Sequence, residues 1–196
     1  MPSPDRQDGA RVIVGLTGGI ACYKTATVVS RLVQSGVDVT VAMTESATRF
    51  VAPLTFQALS GRPVYTSQWT HIEAHDPQHI ALADSARAML IAPCTMDCLA
   101  KLATGRTDDV VTLIAAAVDR QKTPVILAPS MNDVMWAQPS TQRNVEILKS
   151  DGFDFVGPEA GWQACRHIGT GRMSEPEDLI KTVLARVGIQ QNPSGS

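Results

Sequence analysis

The chain has 196 residues, 44% of them apolar, which is ample for one compact core and short for two. Seventeen Lys and Arg stand against 19 Asp and Glu, a formal net charge of −2, and no basic run is longer than two residues, so the footprint of a nucleic-acid-binding protein is missing. No apolar run approaches membrane-spanning length, and the first ten residues are polar and Pro-rich, which speaks against an anchor or a signal peptide.

In chain order, the apolar run Arg11 to Leu16 predicts a strand, followed by a helix over roughly Ile20 to Ser35. Val37 to Met43 predicts a second strand, with helical stretches reaching Leu59. The alternation resumes with a strand at Ala88 to Ala92 and two helical stretches to Arg120, then a strand at Val125 to Ala128 and a helix ending near Gly152. This is the signature of a single α/β doubly wound parallel sheet, Rossmann-like or flavodoxin-like, with helices on both faces. Ser174-Glu-Pro-Glu177 reads as a capping box before a last helix, whose stripe Leu179, Ile180, Val183, Leu184 and Val187 ends at Gly188. Residues 11–189 are expected to form the one domain, between disordered tails at 1–10 and 190–196. Two stretches, Gly61 to His79 and Gly157 to Gly171, show no regular pattern.

The first strand empties into Thr17-Gly-Gly-Ile-Ala-Cys-Tyr-Lys24, so Gly18 and Gly19 stand at the start of a helix, where free N–H groups and the helix dipole favour an anion. The same glycine pair also suits a plain tight turn. The spacing is not the Gly-x-Gly-x-x-Gly of a dinucleotide fold, and the second strand ends on Thr44-Glu-Ser46, with hydroxyls rather than a ribose-binding acid leading. That combination favours the terminal phosphate of a mononucleotide such as FMN, with Glu45 facing solvent. After the strand at Val125 to Ala128 comes Pro129-Ser-Met-Asn-Asp-Val-Met-Trp136. Asn132 thus stands at the carboxyl end of a buried strand, where such sheets bind ligands and where an amide can donate to a carboxylate and accept from an N–H.

Pro129-x-Met-Asn-x-x-Met-Trp136 resembles the substrate-recognition motif of the flavin-containing cysteine decarboxylases, and the similarity extends over roughly residues 12 to 178. Asp76-Pro-Gln-His79, eleven residues before Leu90-Ile-Ala-Pro93, resembles the segment carrying the family's catalytic histidine. Thr95 to Ala103 resembles its flavin-contacting loop, and Ala164-Cys-Arg-His-Ile-Gly-Thr-Gly-Arg-Met173 its substrate clamp with a catalytic cysteine. The resemblance implies FMN-dependent decarboxylation of 4'-phosphopantothenoylcysteine in coenzyme A synthesis. It implies catalytic roles for His79 and Cys165, and substrate contacts from Asn132, Met131, Ala164 and Arg172. It assigns flavin contacts to Gly18, Gly19, Ile20, Thr44, Ser46, Thr95, Met96, Asp97, Cys98 and Ser130. It also implies a small-molecule substrate and a homo-oligomer, a trimer or a multiple of trimers, with flavin between subunits. Related chemistry would make the chain a peptidyl-cysteine decarboxylase that releases an enethiol; a non-catalytic regulatory binding subunit is the alternative from another class. The chain departs from the family pattern at Asp97 and Asp109, where Asn is usual, at Arg87, where Asp is usual, and at Arg166, where Gly follows the clamp cysteine.

His71, Glu73 and His75 alternate in a way that suits a wet face better than a metal site, and no second ligand cluster accompanies them. Cys22, Cys94 and Cys98 sit in apolar company as small core thiols, so no metal is expected and a reducing cytoplasm fits. Cys165 differs, since Arg166, His167 and Arg172 are close in sequence and positive neighbours make a thiol a better acid or nucleophile.

Overall fold

The computed structural model describes residues 9–69, 78–162, 164 and 166–190; most of both expected tails, the pair His71 and His75, and Cys165 lie outside the described residues. β1 (Arg11–Leu16) is flanked by β2 (Asp38–Met43) and β4 (Ala88–Cys94). β5 (Val125–Pro129) and β6 (Asp154–Phe155) extend one side, and β3 (Val64–Tyr65) edges the other. The order is β3-β2-β1-β4-β5-β6 with every pair parallel. With β3 this is the Rossmann order; without that two-residue edge it is the flavodoxin-like one. The chain winds outward from β1 through β2 to β3, then returns to β4 on β1's other side, so the sheet's switch point lies between β1 and β4. A crevice opens there at the carboxyl ends of the strands.

Alternation along each strand divides the core into two layers. Val12, Val14 and Leu16 of β1, with Leu90 and Ala92 of β4, pack under α1 (Cys22–Gln34), α3 (Pro53–Ser60) and α9 (Pro176–Val187). Ile13, Met89, Ile91 and Leu127 face the other way, under α4 (Gln78–Ser85), α5 (Met96–Ala103), α6 (Val110–Ala117) and α8 (Pro139–Ser150). Burial on both faces explains why these strands read as continuous apolar runs. Each such Val, Leu or Ile contributes about 1.5–3 kcal/mol through burial, so truncating fully buried Leu90 or Ile91 to Ala would open a cavity on one layer alone.

The strands predicted from sequence are present, with β4 running two residues further, to Cys94. Two expectations need correction. Ser174 does not cap the last helix: it is buried, the N-cap position is Glu175, whose side chain makes no cap bond, and Pro176 opens the helix. The stretch from Gly157 to Gly171 is not patternless either, since it contains β7 (Glu159–Trp162) and most of β8 (Ile168–Arg172), an antiparallel hairpin. Its strands are short and glycine-rich, leaving little hydrophobic alternation to read.

Candidate functional site

A cleft of about 820 Å³ lies at the switch point, with walls from the ends of β1, β2, β4 and β5 and from the hairpin. The predicted cofactor residues Gly18, Gly19, Ile20, Thr44, Ser46, Thr95, Met96, Asp97, Cys98 and Ser130 all line it, and so do Met131, Asn132, Ala164 and Arg172.

At the β1 end, Thr17 holds the crevice together: its hydroxyl donates to the Pro93 carbonyl (2.7 Å) and accepts from the Thr95 N–H (3.0 Å), fixing the end of β1 to the end of β4. Thr95 in turn caps α5, accepting from Cys98 N–H at 3.3 Å. Gly18 is required by close approach, because a Cβ there would lie 2.4 Å from Ser46 Cβ, so the loops after β1 and β2 are in direct contact. Gly19 has room, its nearest neighbour being Thr95 Cγ2 at 3.6 Å. The 13-residue helix α1 meets the cleft without a side-chain cap at Ala21, the condition in which a helix N-terminus receives an anion. Thr44 supplies a hydroxyl whose acceptor side is occupied by Ala47 N–H (3.2 Å) at the start of α2 (Glu45–Thr48). Glu45 stands at the rim of the cleft, with an 86% exposed side chain paired to Arg49.

The opposite wall is acidic around one lysine that sequence reading missed. Lys101 Nζ lies 3.0 Å from Asp109, 3.2 Å from Asp108 and 3.2 Å from Asp97. Burial works against its charge, but the three carboxylates outweigh it and push its pKa up. Lys101 lowers Asp108 in return. Asp109 also caps α6 through Thr112 N–H (2.9 Å), as Asn would; what the departure to Asp adds is the ion pair with Lys101. The Asp97–Lys101 spacing of four was visible in sequence; the return of Asp108 and Asp109 through the loop between α5 and α6 was not. Cys98 is buried beside Cys94, and the hydrogen bond between them followed by burial pushes its thiol well up, so it stays protonated.

At the β5 end, Asn132 caps α7 (Asp133–Ala137), with Oδ1 accepting from Val134 N–H at 2.9 Å. The cap bond uses one lone pair of the amide oxygen and fixes the side chain's orientation at the cleft. The hairpin is tied to this segment by Met131 N–H donating to the Gly171 carbonyl (2.9 Å) and by His167 Nε2 at 2.8 Å from Asp133 Oδ1. That contact with His167 holds the Asp133 carboxyl below its ordinary pKa.

His79 does not line the cleft. It lies in the first turn of α4, in the outer layer, and the other end of that helix places Ser85 2.9 Å from Arg11 at the start of β1. Of the predicted catalytic pair, Cys165 lies outside the described residues; the residue before it in sequence, Ala164, lines the cleft.

The family described as Flavoprotein matches residues 1–188, and the chain belongs to that family. It is 44% identical over 172 residues to the coenzyme A biosynthesis bifunctional protein CoaBC of Bacillus subtilis (strain 168), covering 87% of this chain and 41% of that protein. The chain thus spans less than half the length of this relative. Among solved structures it is similar to a PPC decarboxylase mutant complexed with pantothenoylaminoethenethiol, with a TM-score of 0.82 and 28% identity over 90% of this chain and 97% of that one. The FMN-dependent cysteine decarboxylase SpaF is similar at 29% identity and TM-score 0.77, over 91% of this chain and 97% of the other.

Proposed function

We propose that the chain is an FMN-dependent carboxy-lyase that converts 4'-phosphopantothenoylcysteine to 4'-phosphopantetheine and carbon dioxide in coenzyme A synthesis, with residues 11–189 as its decarboxylase domain. The observation that carries this reading is one cleft joining an uncapped glycine turn, suited to a phosphate, to the Met131-Asn132 segment beneath a hairpin. The similarity to CoaBC and to the PPC decarboxylase supports the substrate.

The residues present fit FMN. Gly18, Gly19 and Ile20 with the hydroxyls of Thr44 and Ser46 would hold its phosphate, while Thr95, Met96, Asp97, Cys98 and Ser130 would flank its ring; about 820 Å³ is within the range of ligand clefts. Bound flavin supplies a two-electron acceptor that no side chain offers, which lets the cysteine β-carbon be oxidised before carbon dioxide leaves and be reduced again afterwards. Asn132, its orientation fixed by the helix cap, donates through Nδ2 to the substrate carboxylate, with Met131 packing beside it. His79 acts as acid or base in the oxidative half, as an imidazole suits near neutral pH. Cys165, beside Ala164, donates the proton that returns the product to a saturated thiol.

Because His79 stands outside its own chain's cleft, it would serve the cleft of a second copy, which favours a homotrimer, or a multiple of one, with flavin at the subunit interface. Among the described residues no helix is long and apolar enough to cross a membrane, in keeping with a cytoplasmic enzyme. The test is release of carbon dioxide from 4'-phosphopantothenoylcysteine by the flavin-loaded protein. Release that disappears on removing flavin and returns with FMN is expected; no release from loaded protein would sink the reading.

A further inference from the structure

Arg172 ends β8 at the cleft, yet its guanidinium is occupied by the protein itself. Nη1 lies 2.8 Å from Glu175 Oε1 and Nη2 3.3 Å from Glu159 Oε2, while Nε is buried without a hydrogen-bond partner among the described residues. The group lies flat on β7, since a Cβ at Gly161 would come within 2.7 Å of Nε. Arg172 therefore has a second task besides lining the cleft: it fastens the hairpin. Glu175 holds the other end of the fastening. Both its oxygens are 3.0 Å from Lys24 Nζ, on the first turn of α1, where the Lys24 side chain is only 15% exposed. Two cations and two carboxylates therefore form one chain, Lys24–Glu175–Arg172–Glu159, running from the helix behind the glycine turn to the hairpin.

Glu175 is not there for its helix. It occupies the N-cap of α9 with φ −66 and ψ 151 but makes no side-chain cap bond, and glutamate is not among the residues that favour this position. Lys24 first, and Arg172 further, hold its carboxyl below the ordinary glutamate range.

We propose that Glu175 is a positioning residue: by gripping Lys24 and Arg172 together it seats the β7–β8 hairpin over the cleft, and so sets substrate affinity without touching substrate. The substrate part rests on the decarboxylase reading; the seating of the hairpin does not. Ion pairs this far from full exposure hold more than surface pairs do, and a segment fastened at few points opens locally when one is released.

Glu175→Gln in the flavin-loaded full chain removes the charge and spares the helix. Amide exchange over residues 168–172 should quicken about three- to tenfold while β1 and β4 remain as protected as before. KM for 4'-phosphopantothenoylcysteine should rise by a similar factor, with flavin affinity unchanged. Lys24→Met should reproduce both effects, and the double variant should be no worse than either single one, since all act on one contact. If Glu175→Gln does not fold, Lys24→Met carries the test alone. Unchanged hairpin exchange, or an unchanged KM, overturns the proposal. A faster-exchanging hairpin in a protein whose wild type releases no carbon dioxide would instead leave the seating intact and remove the decarboxylase reading.

Discussion

The two ends of the cleft are held in different ways. At the β1 end the parts are backbone and close contact: a glycine pressed on Ser46, an uncapped helix, and a threonine locking two strand ends within 3.0 Å of their partners. At the hairpin end they are charges brought together from distant positions: Lys24 with Glu175, Arg172 with Glu159, and His167 with Asp133. The first end has little freedom to relax, which suits a cofactor that stays. The second is fastened by a few part-exposed contacts, which suits a substrate that must enter and leave.

Substitutions at the rigid end should therefore have the largest effects. Gly18→Ala forces a Cβ to 2.4 Å from Ser46 Cβ and 3.1 Å from its backbone carbon. About 1–3 kcal/mol of stability should go, several degrees in melting temperature, together with the bound flavin and all activity. Gly19→Ala, with its 3.6 Å of clearance, should melt as wild type does. A flavin spectrum that survives Gly18→Ala would break the contrast between the ends.

His79→Asn lies outside both ends and should leave melting temperature and flavin content alone. It should slow carbon dioxide release by about 10²- to 10⁴-fold, the usual share of a general acid or base. Mixing it with Asn132→Asp chains should restore part of the activity if one copy's histidine serves another's cleft; mixed oligomers with none would place the missing group elsewhere.

Asn132→Asp is a clean change of charge, because aspartate caps a helix as well as asparagine does and α7 should remain. Setting a carboxylate against a carboxylate should weaken substrate binding about tenfold or more, with the melting temperature nearly constant. Calorimetric titration of substrate into the His79→Asn background reads this without turnover, and an unchanged affinity would free Asn132 from any contact with the substrate acid.

The smallest effect is that of pH on the hairpin. Glu175 and Asp133 both have carboxyls depressed in the folded state. Their stabilisation is therefore complete above the unfolded values of 4.5 and 3.8 and is lost as pH falls through the lower folded ones. Exchange at residues 168–172, corrected for intrinsic rates, should rise in acid solution as the two carboxylates are protonated. The β1 end, which uses no carboxylate, should not follow it.

The contrast between the ends also explains what could be read from sequence. Sheet class, the strand cores and the glycine turn were legible because each rests on local pattern: continuous apolar runs, Gly18 with Gly19, hydroxyls at Thr44 and Ser46. Asn132 was placed at the cleft by its position after β5, but its capping bond to Val134, which fixes the amide's orientation, was not anticipated. The hairpin escaped because Gly161, Gly169 and Gly171 leave it no apolar rhythm. Lys101 was overlooked although Asp97, Asp108 and Asp109 lie within eight positions of it; Glu175 escaped because it pairs with Lys24, 151 positions away. Neither periodicity nor motif spacing carries information about so distant a pair. Ser174 misled for a related reason: a local capping signal lost to burial of that serine and to the tertiary ion pairs of its neighbour.

The central claim, that this chain both removes carbon dioxide and returns the electrons to its product, is tested most directly by mass spectrometry of what wild type and Cys165→Ser make from 4'-phosphopantothenoylcysteine under anaerobic conditions. Serine is a far weaker acid than a thiol with cationic neighbours, so the variant should still lose carbon dioxide but stall with its flavin bleached and release an enethiol lacking two hydrogens of the saturated product. Wild type should yield 4'-phosphopantetheine alone, with flavin oxidised in the steady state. An enethiol as the wild-type product, or a serine variant that makes the saturated thiol at the normal rate, would contradict the account.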